Sequence, residues 1–437
     1  MLILVAAASA PVPSQATDLL TSYRMALEYD PDFRIALADL EEGNASKAIA
    51  RSVLLPQVNV SWNIRQIDRT SNNNSEAYDS DQVALSAQMP LVNVSAWHQA
   101  RSGSFVAASS QATYRDKVQN LMLKVAQLFV EVLRSKDALD AAKALRANMK
   151  QQVSQVQLRY SAGLTTINEL EEARYGVDNA EAIFLGAQSN FDIAKLSLST
   201  VTGKIEHQLY RLDPNFSEWP VELESTEMIA LALTNNFSIQ ALRMSKQSAL
   251  SNLKGARAQA LPNLNLDVSH TETSTNQFDN IPAAFSAFAS NESSDTTVTL
   301  SVRLPLFTGG SLHGAKKQAS AQYNRLNHQV ERAELNLRQE VLALHLRIRN
   351  SVATIRANKQ ALKSATSAEQ ATRVRYETGT RNILDLSNAS QITHNAKRQY
   401  QDSRYDHLLL RLQLEQLTGD LELSDLQQIN QWLLSTP

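Results

Sequence analysis

Two short motifs repeat at a fixed distance and constrain the fold of the whole chain. The sequence Arg-Tyr-x-x-Gly occupies residues 159–163 and again residues 375–379, so the second copy follows the first by 216 residues. The dipeptide Thr-Gly at 202–203 recurs at 418–419 with the same separation. A separation that is kept at two points indicates an internal duplication, which has to be recognised before a fold is assigned.

Long segments with helical spacing lead into both motifs. Residues from about Ser95 to Tyr160 contain no proline and one glycine, and residues from Ala315 to Tyr376 contain neither. At 1.5 Å per residue, each segment would reach roughly 90–100 Å as a helix. Apolar positions that keep helical spacing over such a length without caps are typical of coiled coils.

The segments that follow the motifs have a seven-residue period. In the first copy the repeating apolar positions are Leu170, Val177, Phe184, Phe191 and Leu198. A strict seven-residue period imposes a left-handed supercoil on packed helices. The sequence therefore predicts helical hairpins over about 95–203 and about 310–419. Tyr160 and Gly163 mark the first turn and Gly379 the second, because glycine tolerates the positive φ of a helix C-cap.

Segments with a two-residue period precede each helical hairpin. Residues Val58–Ile64 alternate apolar and polar side chains, as in a strand with one apolar face. The pattern predicts β-hairpins at about 57–90, with a polar loop over Thr70–Asp79, and at about 263–305, with a longer loop that ends at Asp295. The strand–helix junctions carry prolines, which can neither donate to a ladder nor continue a helix. These are Pro56, Pro90, Pro262 and Pro305.

The predicted strands point to a membrane. Each has about 10–12 residues, the length at which a tilted strand crosses a bilayer. Four strands cannot close a barrel, and open sheet edges are not tolerated in lipid. Two copies would give eight strands and a filled barrel, whereas three copies give twelve. The long helices are rich in Gln, Asn, Lys and Arg. We therefore expect a mainly α protein with transmembrane β-structure: a trimeric twelve-stranded barrel continued by an α-helical coiled-coil barrel.

The chain is predicted to consist of two structural repeats with short flanking segments. Residues 1–16 have the apolar run and small residues of a secretory signal peptide but lack its basic first region, so a truncated signal and a short apolar extension are the alternatives. The remaining predicted segments are the first repeat (17–203), a linker (204–225), the second repeat (226–419) and a C-terminal segment (420–437). Each repeat begins with helices that precede its β-hairpin.

Composition and motif searches exclude several classes of protein. The net charge is −2, which gives no basic field for nucleic acid. The absence of cysteine excludes disulfides, thiolate metal sites and a cysteine-linked lipid anchor. None of the eight histidines has a metal-ligand spacing, and His313 replaces the second glycine that a nucleophile elbow at Ser311 would need. The sequence thus predicts no catalytic residues, no enzyme activity, no cofactor and no metal.

The duplicated plan resembles the TolC family of outer-membrane efflux and secretion channels over residues 18–434. The most specific matches are residues 376–385 and the segment 304–310, Leu-Pro-Leu-Phe-Thr-Gly-Gly. The resemblance implies a homotrimer in the outer membrane of a Gram-negative bacterium, in contact with outer-membrane lipid, with its helical part in the periplasm. It also implies a periplasmic adaptor (membrane fusion) protein and an inner-membrane transporter of the RND, ABC or MFS class as partners, and drugs or proteins as cargo.

The resemblance also implies a periplasmic gate beside the helix turns. Its implied participants are Tyr376, Arg381, Asn168 and Glu169. Arg381 and Glu169 would form a charge-assisted pair. Asp385 matches the first of two acidic residues that line the narrowest point in the family, and Asn388 stands in place of the second. One ring of carboxylates instead of two would attract cations more weakly.

Two other classes of protein compete with a channel. A periplasmic adaptor also carries a long helical hairpin, but only one, and a soluble coiled-coil scaffold would leave the alternating segments unexplained. The tyrosines and glycines of the turns could also be ordinary helix-end residues. Four aromatic residues are candidates for a membrane-interface girdle, with scattered surface aromatics as the alternative. They are Trp62, Trp97, Phe285 and Phe288.

Overall fold

The structure, a computed structural model, describes residues 18–71, 74–204, 211–213, 216, 219, 224–275 and 292–434. The predicted signal peptide over 1–16 lies outside the described residues, as do Phe285 and Phe288.

The four long helices and the four long strands lie in the segments where the two periods of the sequence predict them, although the ends of the strands differ. In chain order they are α1 (Leu19–Tyr29), α2 (Pro31–Ser52), β1 (Gln57–Ser71), β2 (Asn74–Val92), α3 (Val94–Ser161), α4 (Ile167–Thr202), β3 (Arg211–Leu212), α5 (Ser225–Asn235), α6 (Phe237–Ala258), β4 (Asn263–Thr275), β5 (Glu292–Arg303), α7 (Ser311–Glu377), α8 (Ile383–Thr418), α9 (Leu423–Gln431) and β6 (Leu433–Leu434). Among the described helices, none combines the length and apolar character needed to cross a membrane.

The chain forms two compact units. The sheet unit comprises residues 38–114 and 238–333, and the helical unit comprises the described residues up to 37 together with those of 115–237 and 334–437. Each unit takes segments from both halves of the chain. The compact units therefore do not coincide with the two predicted sequence repeats.

The sheet unit contains a four-stranded antiparallel sheet in the order β1-β2-β4-β5. The strands have 15, 19, 13 and 12 residues, so three of them exceed the predicted length. The predicted polar loop over Thr70–Asp79 is wrong, because β1 continues to Ser71 and β2 begins at Asn74. The predicted end of the second loop at Asp295 is also wrong, because Asp295 lies inside β5. Main-chain hydrogen bonds hold a ladder together, so polar side chains do not end a strand.

The pairing register gives the sheet one apolar and one polar face. Val60 lies opposite Leu85, Ala87 lies opposite Val268, and Val268 lies opposite Val298. Cross-strand partners share a face. The other face carries polar residues on all four strands: Asn59, Ser61, Ser86, Ser269, Thr299 and Ser301. The apolar residues of this face come from all four strands, and Val60 is 72% exposed within one chain.

The four junction prolines take three kinds of position. Pro56 and Pro262 directly precede β1 and β4, and Pro305 lies two residues after β5. Pro90 lies inside β2, where the register to β4 shifts between Pro90 and Val92. An irregularity of this kind is one of the few places at which a strand accepts proline.

The core of the helical unit lies where α1, α3, α4, α8 and α9 meet. Its most buried apolar residues include Leu19, Ala26, Val125, Phe129, Leu412 and Leu426. Burial of each large apolar side chain contributes about 1.5–3 kcal/mol to the stability of the folded protein. Ala173, Ala180 and Ala194 of α4, which are separated by multiples of seven residues, are also buried. Small residues at a seven-residue period allow close approach of neighbouring helices.

Helix α8 also forms hydrogen bonds with residues of the linker between the two predicted repeats. The buried Arg404 donates two hydrogen bonds to main-chain carbonyl oxygens. Its Nε donates to Phe216 at 2.7 Å, and its Nη2 donates to Asp213. His407 Nε2 accepts a hydrogen bond from the main-chain N–H of Trp219 at 2.8 Å. Arg404 and His407 are three residues apart and therefore lie on one face of α8.

Candidate functional site at the helix turns

Both predicted turns join a long helix to a shorter one through a left-handed glycine. The φ angles are 71° at Gly163 and 77° at Gly379, where residues with a Cβ are disfavoured. The main-chain N–H of Leu164 donates to the carbonyl oxygen of Arg159, and that of Thr380 to the carbonyl oxygen of Arg375, both at 2.8 Å. These bonds satisfy carbonyl groups that a helix leaves free at its C-terminus.

The two acidic residues of the predicted gate lie in the first turns of α4 and α8. The Thr166 side chain caps α4 and accepts from the N–H of Glu169, and the Asn382 side chain caps α8 and accepts from the N–H of Asp385 at 2.8 Å. A helix N-terminus carries a partial positive charge that stabilises carboxylates. Glu169 and Asp385 thus have a local structural role in addition to any role in a pore.

The two turn tyrosines differ in environment although their motifs match. Tyr376 is 6% exposed, whereas Tyr160 is 40% exposed. The ring of Tyr376 packs into an apolar cluster with members from α3, α4 and α8: Val156, Leu170, Ala173, Ile383 and Leu386. All four helices of the two hairpins therefore meet around Tyr376, and the sequence motif alone does not distinguish the buried tyrosine from the exposed one.

Arg159 and Glu169 provide the charges around Tyr376. The guanidinium carbon of Arg159 lies 5.4 Å from the centroid of the Tyr376 ring. Burial raises the pKa of the Tyr376 hydroxyl above its ordinary value, Arg159 opposes this shift as a charge and a hydrogen-bond donor, and Glu169 adds to it. Sequence reasoning did not assign Arg159 to the site, although it stands in the repeated motif itself.

Within one chain, the carboxylate beside Arg381 is that of Asp385 and not that of Glu169. Arg381 Nη1 lies 3.4 Å from Asp385 Oδ2, one helical turn away in α8, and Glu169 accepts a hydrogen bond from the Thr165 hydroxyl instead. Arg381 directly precedes Asn382, the N-cap of α8, and Asp385 lies in the first turn of this helix, so the two side chains begin close together in the chain. Asn168 and Asn388 are exposed.

Further polar contacts join α8 to α3 and α7 near the turns. Ser387 on α8 lies 3.5 Å from the side-chain oxygen of Gln152 on α3, and Ser390 donates to Glu369 on α7 at 2.8 Å. Arg373 also contacts Glu369, at 3.2 Å. Within the part of the chain that the structure describes, no group of His, Asp or Glu side chains could hold a metal ion.

The chain resembles known outer-membrane proteins over nearly its full length. The model of the outer membrane efflux protein family matches residues 22–204 and 228–420. The outer membrane protein TolC of Vibrio cholerae is 29% identical over 95% of this chain and 93% of its own length. The proteases secretion protein PrtF of Dickeya chrysanthemi is 28% identical over 97% of this chain and 93% of its own length.

Solved structures have the same fold. The channel protein CusC matches with a TM-score of 0.80 at 18% identity, covering 94% of this chain and 97% of that one. VceC of Vibrio cholerae matches with a TM-score of 0.77 at 18% identity, covering 92% and 96%. The predicted outer-membrane location and the predicted role as an exit duct for efflux or type I secretion are confirmed by these similarities. The chain belongs to the outer membrane efflux protein family, the group of TolC-like channels that its sequence resembles.

Proposed function

We propose that three copies of this chain close a twelve-stranded β-barrel in the outer membrane and continue it into the periplasm as an α-helical coiled-coil barrel. The open sheet carries this proposal, because among the described residues β1 and β5 each pair with only one other strand. Both edges therefore present unpaired main-chain groups, which lipid cannot satisfy. Pairing β5 of one copy with β1 of the next would satisfy both edges.

The number of copies follows from the size of the lumen. Two copies would give eight strands, a barrel that side chains fill. Three copies give twelve strands, inside the range of outer-membrane barrels. The apolar face of each sheet would meet lipid and the polar face would line the duct. The exposed Trp62 and Trp97 would lie at the membrane interface, where aromatic residues are enriched.

We propose that the turns form the gate of this duct, with Tyr376, Arg381, Asn168, Glu169, Asp385 and Asn388 as its members. The burial of Tyr376 among four helices supports the proposal, because separating the hairpins would expose this ring. Between copies, Arg381 would exchange Asp385 for Glu169 of a neighbouring chain. The ring of Asp385 carboxylates would attract cations weakly, because Asn388 supplies no second acidic ring.

Single-channel recording tests the gate. Tyr376→Phe and Arg381→Ser are expected to raise the conductance of the protein in a planar bilayer, because each removes a polar contact that holds the turns in place. Tyr160→Phe is the matched control, since this tyrosine is exposed in the equivalent position. Equal conductance of the wild type and both gate variants would contradict the assignment.

We propose a periplasmic adaptor and an inner-membrane transporter of the RND, ABC or MFS class as partners. A passive duct supplies no energy, so another protein has to drive the cargo. Relatives named for protease secretion and for pyoverdine export support partners of this kind. Deleting the gene and comparing drug sensitivity with the secreted proteins separates efflux from type I secretion. An unchanged phenotype in both assays would contradict an exit duct.

We further propose that the chain has no enzymatic activity and that residues 17–203 and 226–419 are two copies of one repeat. The equal lengths of α4 and α8, 36 residues each, support the duplication. Gly203 and Gly419 end these helices with φ angles of 75° and 79°.

A further inference from the structure

We propose that Arg159 is a positioning residue of the gate: it holds the end of α3 against the end of α7 through the ring of Tyr376. The inference rests on the proposed gate and adds a member to it. Arg159 and Arg375 occupy equivalent positions of the repeated motif. Only the tyrosine of the second motif is buried, and the arginine that lies over it comes from the first motif.

The geometry of the contact fits a cation held over an aromatic ring. The separation of 5.4 Å between the guanidinium carbon and the ring centroid lies within the range over which ring faces attract cations. Arg159 is half-buried, so water and salt screen its charge less than they screen a fully exposed charge. Its place in the last turn of α3 adds a favourable interaction with the helix dipole.

The contact joins elements that are far apart in sequence. Tyr376 itself rests on apolar residues of α3, α4 and α8. Arg159 lies over the ring of Tyr376, and Glu169 is close enough to act on the Tyr376 hydroxyl. Any motion that separates the two hairpins at their turns has to break the contact between Arg159 and Tyr376. Arg159 therefore favours the arrangement in which the turns are packed together.

The test is the open fraction of the full-length trimer in a planar bilayer. Arg159→Gln is expected to raise the open fraction about 2- to 5-fold, the effect of losing one partly exposed cation–ring contact. Arg375→Gln is the matched control and should leave the open fraction unchanged, because Arg375 is exposed at the equivalent position. Arg159→Lys keeps the cation and should restore most of the wild-type behaviour.

A double variant shows whether Arg159 acts through the ring. Arg159→Gln combined with Tyr376→Leu should open no more often than Tyr376→Leu alone, because coupled residues are not additive. Additive effects would overturn the proposal, as would equal effects of Arg159→Gln and Arg375→Gln. If Tyr376→Phe and Arg381→Ser open the channel and Arg159→Gln does not, the gate stands and this inference fails. A wild type that forms no channel overturns the gate itself.

Discussion

At the scale of residues, glycines with the same left-handed backbone conformation have different surroundings. Gly163 and Gly419 both have left-handed φ angles, 71° and 79°. A Cβ at Gly163 would meet no atom within 4 Å, whereas a Cβ at Gly419 would lie 2.6 Å from the carbonyl oxygen of Asn235. The same substitution therefore tests backbone strain alone at one site and strain plus a main-chain collision at the other.

Gly419→Ala is expected to reduce the free energy of unfolding more than Gly163→Ala does. In both variants the free energy of unfolding should fall by about 1–2 kcal/mol, because alanine has a Cβ that disfavours the left-handed backbone. The collision at Gly419 should cost about 1–3 kcal/mol more, as overpacking does. Chemical denaturation of the detergent-solubilised protein measures both losses, and equal losses would contradict the packing described for Gly419.

A second residue-scale prediction concerns Glu415 on α8. Its carboxylate lies 3.0 Å from Arg411, and both side chains are largely buried. Burial, aided by Asp425, outweighs Arg411 and raises the pKa of Glu415 from 4.5 to about 7. The folded protein therefore holds this proton more tightly than the unfolded chain does. Stability has to fall as pH rises from about 4.5 to about 7.

Glu415→Gln is expected to remove this fall in stability. In the wild type the fall should amount to on the order of 1–3 kcal/mol between pH 4.5 and pH 8. Thermal melting of the wild type and the variant across this range measures it. Asp192→Asn, at an exposed position of α4 that does not act on Glu415, should keep the wild-type pH dependence. A Glu415→Gln variant that still loses stability over this window would contradict the assignment.

At the scale of elements, the sheet shows how local pattern and pairing combine. The alternation in Val58–Ile64 predicted a strand with one apolar face, and the pairing order β1-β2-β4-β5 brings the apolar faces of all four strands together. The true ends of the strands were not predictable from this alternation, because β1 and β2 continue into polar sequence. Their main-chain ladder persists beyond the apolar face.

Adjacent substitutions on β1 should separate the two faces of the sheet. Val60→Lys places a charge on the apolar face. If that face meets lipid, the substitution should reduce the stability of the folded barrel by about 2–4 kcal/mol. Asn59→Lys places the same charge on the polar face and should be tolerated. Heat-modifiable migration on a gel measures the folded membrane form. Equal yields of the two variants would contradict a lipid-facing side at Val60.

At the scale of the whole molecule, the two halves of the sequence do not form the two compact units. The sheet unit takes one β-hairpin from each half, joined by pairing between β2 and β4. The helical unit takes both helical turns. Each half therefore contributes to both units, as expected if neither β-hairpin forms a stable sheet alone.

Disulfide trapping should show how many copies close the barrel. The chain has no cysteine, so introduced pairs report on a clean background. Val60→Cys on β1, combined in turn with Thr296→Cys, Val298→Cys or Leu300→Cys on β5, should give a covalent ladder that ends at three chains. A ladder that ends at two, or no linkage in any combination, would contradict the trimer.

The matched control for disulfide trapping lies inside one sheet. Ser86 and Ser269 are register partners on β2 and β4 of the same chain. The pair Ser86→Cys and Ser269→Cys should therefore link within a chain and leave the apparent mass of a monomer.

Sequence alone determined the features that depend on local periodicity. Seven-residue and two-residue patterns report the backbone period and the apolar face, and the glycines report positive φ, so the hairpins, their turns and the channel family were predictable. Only the tertiary structure decided which tyrosine is buried and that Arg159 lies over it. These outcomes depend on which helices meet in space, and matching local motifs carry no information about partners 200 residues away.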